Sequence, residues 1–194
     1  MAAGWSEELG RMRATMRKLT SDLEDLKRRT DSIRRKQAEG KGSQDMGLDS
    51  DFVHLVRALR HVVMKVDESV KTAQGALRAL SKGEEKVSKP IGIRSYAASS
   101  RLLCGEVESF GSFFTSAKST FRNAPVAMKW WDIDTIYDDL QRNSKKSVSI
   151  ARDMLKVLGD LPDGELSAAG PQVPDSPAAQ PKPPAAESGP PAAQ

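Results

Sequence analysis

Apolar side chains in the first part of the chain recur at alternating intervals of four and three residues. This spacing is the a/d pattern of a coiled coil, and it is narrower than the apolar stripe of most globular helices. The pattern predicts that residues 1–38 form a coiled-coil helix that pairs along its length with another helix. We call this set of positions the N-terminal seam: Trp5, Leu9, Met12, Met16, Leu19, Leu23, Leu26, Thr30 and Ile33.

The N-terminal seam is the first candidate binding site. A connector at 39–50 contains three glycines and separates the seam from the rest of the chain, so we expect the helix to project towards a protein partner. The flanking charges favour a self-dimer and a foreign partner almost equally, which leaves homo- and hetero-oligomers open. The residues expected to touch the partner are Leu9, Met12, Met16, Leu19, Leu23, Leu26 and Ile33.

Three more amphipathic segments lie between residues 51 and 161. Their apolar spacing predicts helices near 52–80 and 96–121, and a last helix that begins near Asp132 or Asp134 and ends near Leu158. Gly83 fits the left-handed position that ends a helix. Because no segment alternates with period two, we predict an all-α protein: the coiled-coil helix followed by a bundle or elongated hairpins.

Residues 162–194 have a different composition from the preceding part of the chain. They hold most of the 11 prolines and almost no large apolar side chains, so we predict a disordered tail. Pro174-x-x-Pro177 and Pro181-x-x-Pro184 match the minimal ligand of SH3 or WW domains. A plain spacer is the alternative interpretation of these short motifs.

Charge and cysteine content narrow the functional classes. The single cysteine, Cys104, excludes an internal disulfide framework, and its apolar neighbours favour a buried thiol. No apolar run is long enough to span a membrane, and the N-terminus lacks the apolar region of a signal peptide. We therefore expect a cytoplasmic protein, with a nuclear location as the alternative.

Six cations occur within ten residues near the end of the first predicted helix, opposed only by Asp31. They form a basic patch that could meet an acidic protein surface, lipid or nucleic acid, or could remain a solvated helix face. No reader motif for nucleic acid accompanies them. The patch consists of Lys27, Arg28, Arg29, Arg34, Arg35 and Lys36.

Trp130 and Trp131 are adjacent before the last predicted helix. Two neighbouring indoles cannot both point into a thin core, so we expect either one core residue with a lid or an exposed anchor for a partner.

The sequence contains no recognised catalytic motif, and we expect no cofactor. His54 and His61 are too far apart on one helix to share a metal, and the acids at the start of the last helix fit helix capping better than metal binding.

These features favour a non-enzymatic coiled-coil scaffold or adaptor that joins a larger intracellular complex of the cytoskeletal, tethering or trafficking kind. The alternative is a helical protein that binds membrane surfaces or nucleic acid through its basic charge, which is +4 for the whole chain.

Overall fold

The computed structural model describes residues 2–40, 47–83, 90–122 and 130–159. All regular secondary structure in these ranges is helical, which confirms the predicted all-α class. The four helices are α1 (Ala2–Ala38), α2 (Leu48–Ser81), α3 (Pro90–Arg122) and α4 (Trp130–Val157). The predicted disordered tail at 162–194 and its two proline motifs lie outside the described residues.

The helices form a four-helix bundle in which each helix has two neighbours. α1 packs against α2 and α3, and α4 packs against the same two helices. α1 and α4 are therefore diagonally opposite, as are α2 and α3. The second connection of the chain consequently joins diagonal helices, whereas the first and third join neighbours.

Side-chain contacts give the direction of each helix pair. Ser6 of α1 lies 2.8 Å from Ser99 of α3 (Oγ to Oγ), and the hydroxyl of Thr120 of α3 donates to Asp31 of α1. Both helices advance together between these contacts, so α1 and α3 are parallel.

The other neighbouring pairs follow from two further sets of contacts. Arg29 near the end of α1 pairs with Asp51 at the start of α2, and Lys118 near the end of α3 pairs with Asp134 at the start of α4. The bundle is thus two antiparallel hairpins, α1–α2 and α3–α4, stacked in the same direction.

The N-terminal seam lies inside the bundle. Every member from Leu9 to Ile33 is buried, and Trp5 is half-buried against the same core. The expectation that α1 projects to a partner is therefore wrong for this structure. All four helices carry the same four-three repeat, and α2 and α3 meet α1 at the high effective concentration of a single chain. Residues 1–161 accordingly form one compact unit.

Several helices are longer in the structure than the sequence predicts. α3 starts at Pro90, where the fixed φ of proline suits the first helical turn. α4 starts at Trp130, so both tryptophans belong to the helix and not to the loop before it. α2 begins after Gly47 without a side-chain cap from Asp49 or Ser50. Gly83 adopts φ +73°, which confirms the predicted left-handed end of α2.

The core differs between the two ends of the bundle. We call the half with the ends of α1 and α3 the upper half; it also holds the starts of α2 and α4. Its core contains four fully or almost fully buried phenylalanines: Phe52, Phe110, Phe114 and Phe121. The lower half contains a buried tyrosine and several buried serines and alanines: Ser69, Ala73, Ala76, Tyr96, Ser100, Ser147 and Ala151.

Candidate functional site

The basic patch predicted from the sequence is divided by the fold. Its first three cations all have carboxylate partners within ion-pair distance: Lys27 with Asp31 at 3.0 Å, Arg28 with Asp25 at 3.2 Å, and Arg29 with Asp51 at 2.5 Å. The remaining three, Arg34, Arg35 and Lys36, are exposed and form no ion pair with a carboxylate in the described ranges. Only this second half of the patch has charge available for a ligand.

The three free cations lie on a part of α1 that extends past the rest of the bundle. Asp31 is level with Thr120, which it contacts at 3.3 Å. From there α1 continues to Ala38, about 10 Å further, whereas α3 ends at Arg122 after about 3 Å. Arg34, Arg35 and Lys36 therefore occupy about one turn of protruding helix, which we call the cationic overhang.

The two tryptophans have different environments. Trp130 is half-buried and packs on the core, with the Arg122 guanidinium 5.2 Å from its ring centre. Trp131 is 53% exposed and meets Trp130 edge to face at 6.1 Å. Side chains tilt towards the N-terminus of their helix, so Trp131 leans towards the upper end of the bundle. It is the member of the pair that a partner could reach.

The outer face of α2 presents a surface that the sequence analysis did not identify. Val53 and Met64 are 45% and 48% exposed, with Arg57 and Arg60 between them at intervals of four, three and four. Arg60 is 4.0 Å from Asp132 of α4, while Arg57 has no ion pair within the described part of the chain. These four residues form one line on the helix, which we call the α2 outer stripe.

Val53, Leu55 and Val62 are apolar residues of α2 that lie beside its four-three repeat. Both of the latter are buried, but Val53 faces solvent. The position around the helix axis could have distinguished Val53 from the other two residues, because Val53 shares its helical face with two arginines. Two guanidinium groups on one face are typical of a surface exposed to solvent, because burial of a charged group is costly.

Two clefts lie along the junction of α1 and α2. The larger has a volume of about 670 Å³, and its rim alternates cations and carboxylates: Lys18, Asp22, Asp25, Arg28, Arg29, Asp51 and His54. Because these charges offset one another, the larger cleft has no clear preference for an ion. The smaller, of about 320 Å³, lies beside Trp5 and Ser69.

Three polar groups in the lower core, those of Tyr96, Ser100 and Ser147, contact one another. The Tyr96 hydroxyl lies 2.7 Å from Ser147 Oγ, which is also 2.9 Å from Ser100 Oγ. Burial raises the pKa of Tyr96, and the neighbouring serine hydroxyls oppose that rise in part. Burial thus keeps the phenol neutral inside the core.

Other candidate reactive groups have structural explanations. Burial raises the pKa of the half-exposed Cys104 thiol, which makes it less nucleophilic at neutral pH. His54 and His61 are both exposed. Asp134 pairs with Lys118 at 2.6 Å, so an ion pair between helices occupies this acid. The described residues contain no cluster of histidine, cysteine and carboxylate groups that could hold a metal ion.

Comparison with known proteins adds no relative: no family model, curated protein or solved structure matches the chain. Among the described helices, none is both long enough and apolar enough to cross a membrane. The candidate sites therefore rest on the geometry of the bundle surface.

Proposed function

We propose that this chain is a non-enzymatic scaffold or adaptor subunit that binds a helix of a protein partner along the α2 outer stripe. The observation that carries the proposal is the alignment of Val53, Arg57, Arg60 and Met64 on one exposed line, with apolar side chains at both ends. The line spans about 16 Å. A partner helix could bury the two apolar side chains and place its own carboxylates against the arginines.

This mode of assembly uses the folded surface and leaves the N-terminal seam in the core. Release of α1 to a partner would expose Leu19, Leu23 and their neighbours, each of which is stabilised by about 1.5–3 kcal/mol when fully buried. Docking on the outer face has no such cost. The setting that we propose is a cytoplasmic complex of the cytoskeletal, tethering or trafficking kind.

The perturbed ionisable groups support a non-enzymatic role. The raised pKa values of Tyr96, Tyr137 and Cys104 are all caused mainly by burial. Catalytic acids and bases are more often shifted towards neutral pH by a charged partner in a cleft. Three carboxylates at the starts of α2 and α4 form ion pairs with cations of neighbouring helices: Asp51, Asp132 and Asp134.

The test is recovery of the full-length chain, with its bound proteins, from cells of its source. We expect a partner in fixed stoichiometry with the wild type and its loss from Val53→Glu/Met64→Glu. Leu102→Glu on α3 is the matched control, because Leu102 is also 48% exposed. All three proteins should melt within about 1 kcal/mol of one another, since surface substitutions have small effects.

Two results would overturn this assignment. A wild-type chain that sediments only as a free monomer after gentle extraction would contradict the scaffold role. Equal loss of the partner from Leu102→Glu and from the double variant would show that the α2 outer stripe is not the contact surface.

A further inference from the structure

The upper end of the bundle concentrates free positive charge. The cationic overhang of Arg34, Arg35 and Lys36 extends about one turn past the other helices, and its three side chains are exposed. Arg35 and Lys36 also lie in the last turn of α1, where cations complement the helix dipole. That interaction leaves their charged groups in solvent, where they can contact an external anion.

The same end carries the most exposed indole of the described chain. Trp131 is 53% exposed in the first turn of α4, and the half-buried Trp130 supports it edge to face. Asp132 and Asp134, which follow Trp131 on α4, pair with Arg60 and Lys118, so both of these carboxylates already have cationic partners. An exposed indole and exposed cations at the same end of the bundle match the chemistry of the interfacial region of a bilayer.

We propose that the upper end of the bundle binds the surface of an anionic lipid bilayer. The cationic overhang of α1 contacts the lipid phosphates, and Trp131 of the diagonally opposite α4 enters the interfacial region of the same bilayer surface. This function goes beyond the scaffold role, because it needs no protein partner and uses neither Val53 nor Met64. It would hold an assembled complex against a membrane without a spanning helix.

A bilayer fits this end better than a folded protein or a nucleic acid does. Protein hot spots are usually seated in pockets, and neither Trp131 nor the cationic overhang lines either of the two clefts at the α1–α2 junction. Single-stranded nucleic acid is held by several aromatic side chains in a basic groove, and here a single indole is exposed. A fluid surface requires only the charge and the indole.

The lower end provides a natural control. It also has exposed cations, Arg78, Lys82 and Lys156, and an exposed apolar residue, Ile91. Its indole, Trp5, is half-buried with its ring edge-on to Tyr96 at 5.9 Å. The two ends are about 50 Å apart, several Debye lengths at physiological salt, so their charges act independently on a bound surface.

The experiment measures binding of the full chain to phosphatidylcholine vesicles with and without about 30% phosphatidylserine. We expect binding only to the anionic vesicles. Arg34→Gln/Arg35→Gln/Lys36→Gln should weaken it about a hundredfold, because each cation near such a surface contributes about a fivefold factor. The matched variant Arg78→Gln/Lys82→Gln/Lys156→Gln should weaken it less than about threefold.

A spectroscopic readout locates the contact. Brominated phosphatidylcholine mixed into the anionic vesicles should quench the tryptophan emission of the wild type, and Trp131→Phe should lose that quenching. Unchanged thermal melts of all variants establish that the bundle remains folded.

Three outcomes would overturn the proposal. Equal loss from both charge variants would indicate general adhesion of a basic protein. Displacement of the chain from vesicles by millimolar inorganic phosphate would indicate a site for a free anion. Binding of a DNA duplex through the overhang, with no binding to vesicles, would assign the charge to nucleic acid.

Discussion

The upper and lower halves of the bundle are built on the same four-three repeat but contain different kinds of core. In the upper half, Phe52 of α2 meets Phe121 of α3 across the diagonal at 6.4 Å. In the lower half, Tyr96 and Ser100 of α3 meet Ser147 of α4 through hydroxyl contacts. The burial of apolar rings is non-directional, whereas hydrogen bonds depend on the angle and distance between the two groups. The two cores therefore have different roles. The aromatic core mainly stabilises the bundle, and the hydroxyl contacts mainly fix the positions of the helices along one another.

We expect the aromatic half to supply most of the stability. A fully buried phenyl ring removes a large apolar surface from water, and no neighbouring helix can collapse fully into the space that it leaves. The hydroxyl contacts contribute less, because in the unfolded chain the same groups bond to water. The predictions below test this division from the largest expected effect to the smallest.

The largest effect is expected at Phe114, which is fully buried and stacks on Phe110 at 6.4 Å. Phe114→Ala should lower the free energy of unfolding by about 3–5 kcal/mol, since it leaves a cavity in the core. Urea denaturation measures the change. Phe113→Ala is the matched control, because Phe113 is only half-buried and should cost less than about 2 kcal/mol. Equal losses would mean that the aromatic core does not dominate the upper half.

A smaller effect is expected where Tyr137 of α4 packs directly on Gly111 of α3. The ring and hydroxyl of Tyr137 lie over Gly111, and a Cβ added at Gly111 would overlap them. Gly111→Ala should therefore cost about 1–3 kcal/mol, since the ring or the helix must shift. Thermal or urea melts measure it.

Two further variants isolate the cause. In a Tyr137→Ala background the cost of Gly111→Ala should largely disappear, because the two side chains no longer collide. Gly105→Ala on the same helix meets open space and should be neutral or stabilising by about 1 kcal/mol. Persistence of the Gly111 cost without the Tyr137 ring would show that the close approach is not its source.

The sequence was sufficient to predict the helices but not to predict which helices pack against each other. The four-three spacing specifies that α1 lies against other helices, and it is the same whether the partner belongs to the same chain or to another. The direction of pairing depends on contacts such as Ser6 with Ser99, which join residues far apart in sequence. No local pattern encodes them.

The third expected effect is the loss of the buried phenol. Tyr96→Phe should cost about 1 kcal/mol, because Ser147 and Ser100 keep their contact with each other when the hydroxyl is removed. A loss above about 3 kcal/mol would mean that the hydroxyl cluster contributes as much as the aromatic core.

The same residue predicts a pH dependence. Burial raises the folded-state pKa of Tyr96 above that of the unfolded chain, so this contribution to stability is complete below the unfolded value, near 10. It is lost as the pH rises from there through the folded pKa, because the unfolded state releases its proton first. Urea melts above pH 10 should therefore show a shallower alkaline decline for Tyr96→Phe than for the wild type.

The surface sites were the least predictable part of the molecule. The charge of the basic patch is visible in the sequence, but the division between its paired half and the cationic overhang depends on Asp25 and Asp51. Asp25 is a helical neighbour that the spacing could have identified. Asp51 reaches Arg29 only because α2 folds back on α1. The cationic overhang exists only because α1 extends further than α3 at this end of the bundle.

The smallest effect is expected at Ser69, and its sign distinguishes it from the rest of the hydroxyl cluster. Ser69 is buried, and its Oγ forms no hydrogen bond of normal geometry with any described residue. It is near enough to the Tyr96 hydroxyl to lower the pKa of the phenol slightly, which is a weaker interaction than the 2.7 Å contact of Ser147.

A buried hydroxyl without a good partner is unfavourable, and alanine is the better helix former. Ser69→Ala should therefore leave the stability unchanged or raise it by up to about 1 kcal/mol, whereas Ser147→Ala should lower it by about 1–3 kcal/mol, since it removes both contacts. Urea melts of the two variants compare them directly. A loss above about 1 kcal/mol for Ser69→Ala would show that Ser69 holds a partner in the cluster, and the lower half would then be a fully connected polar network.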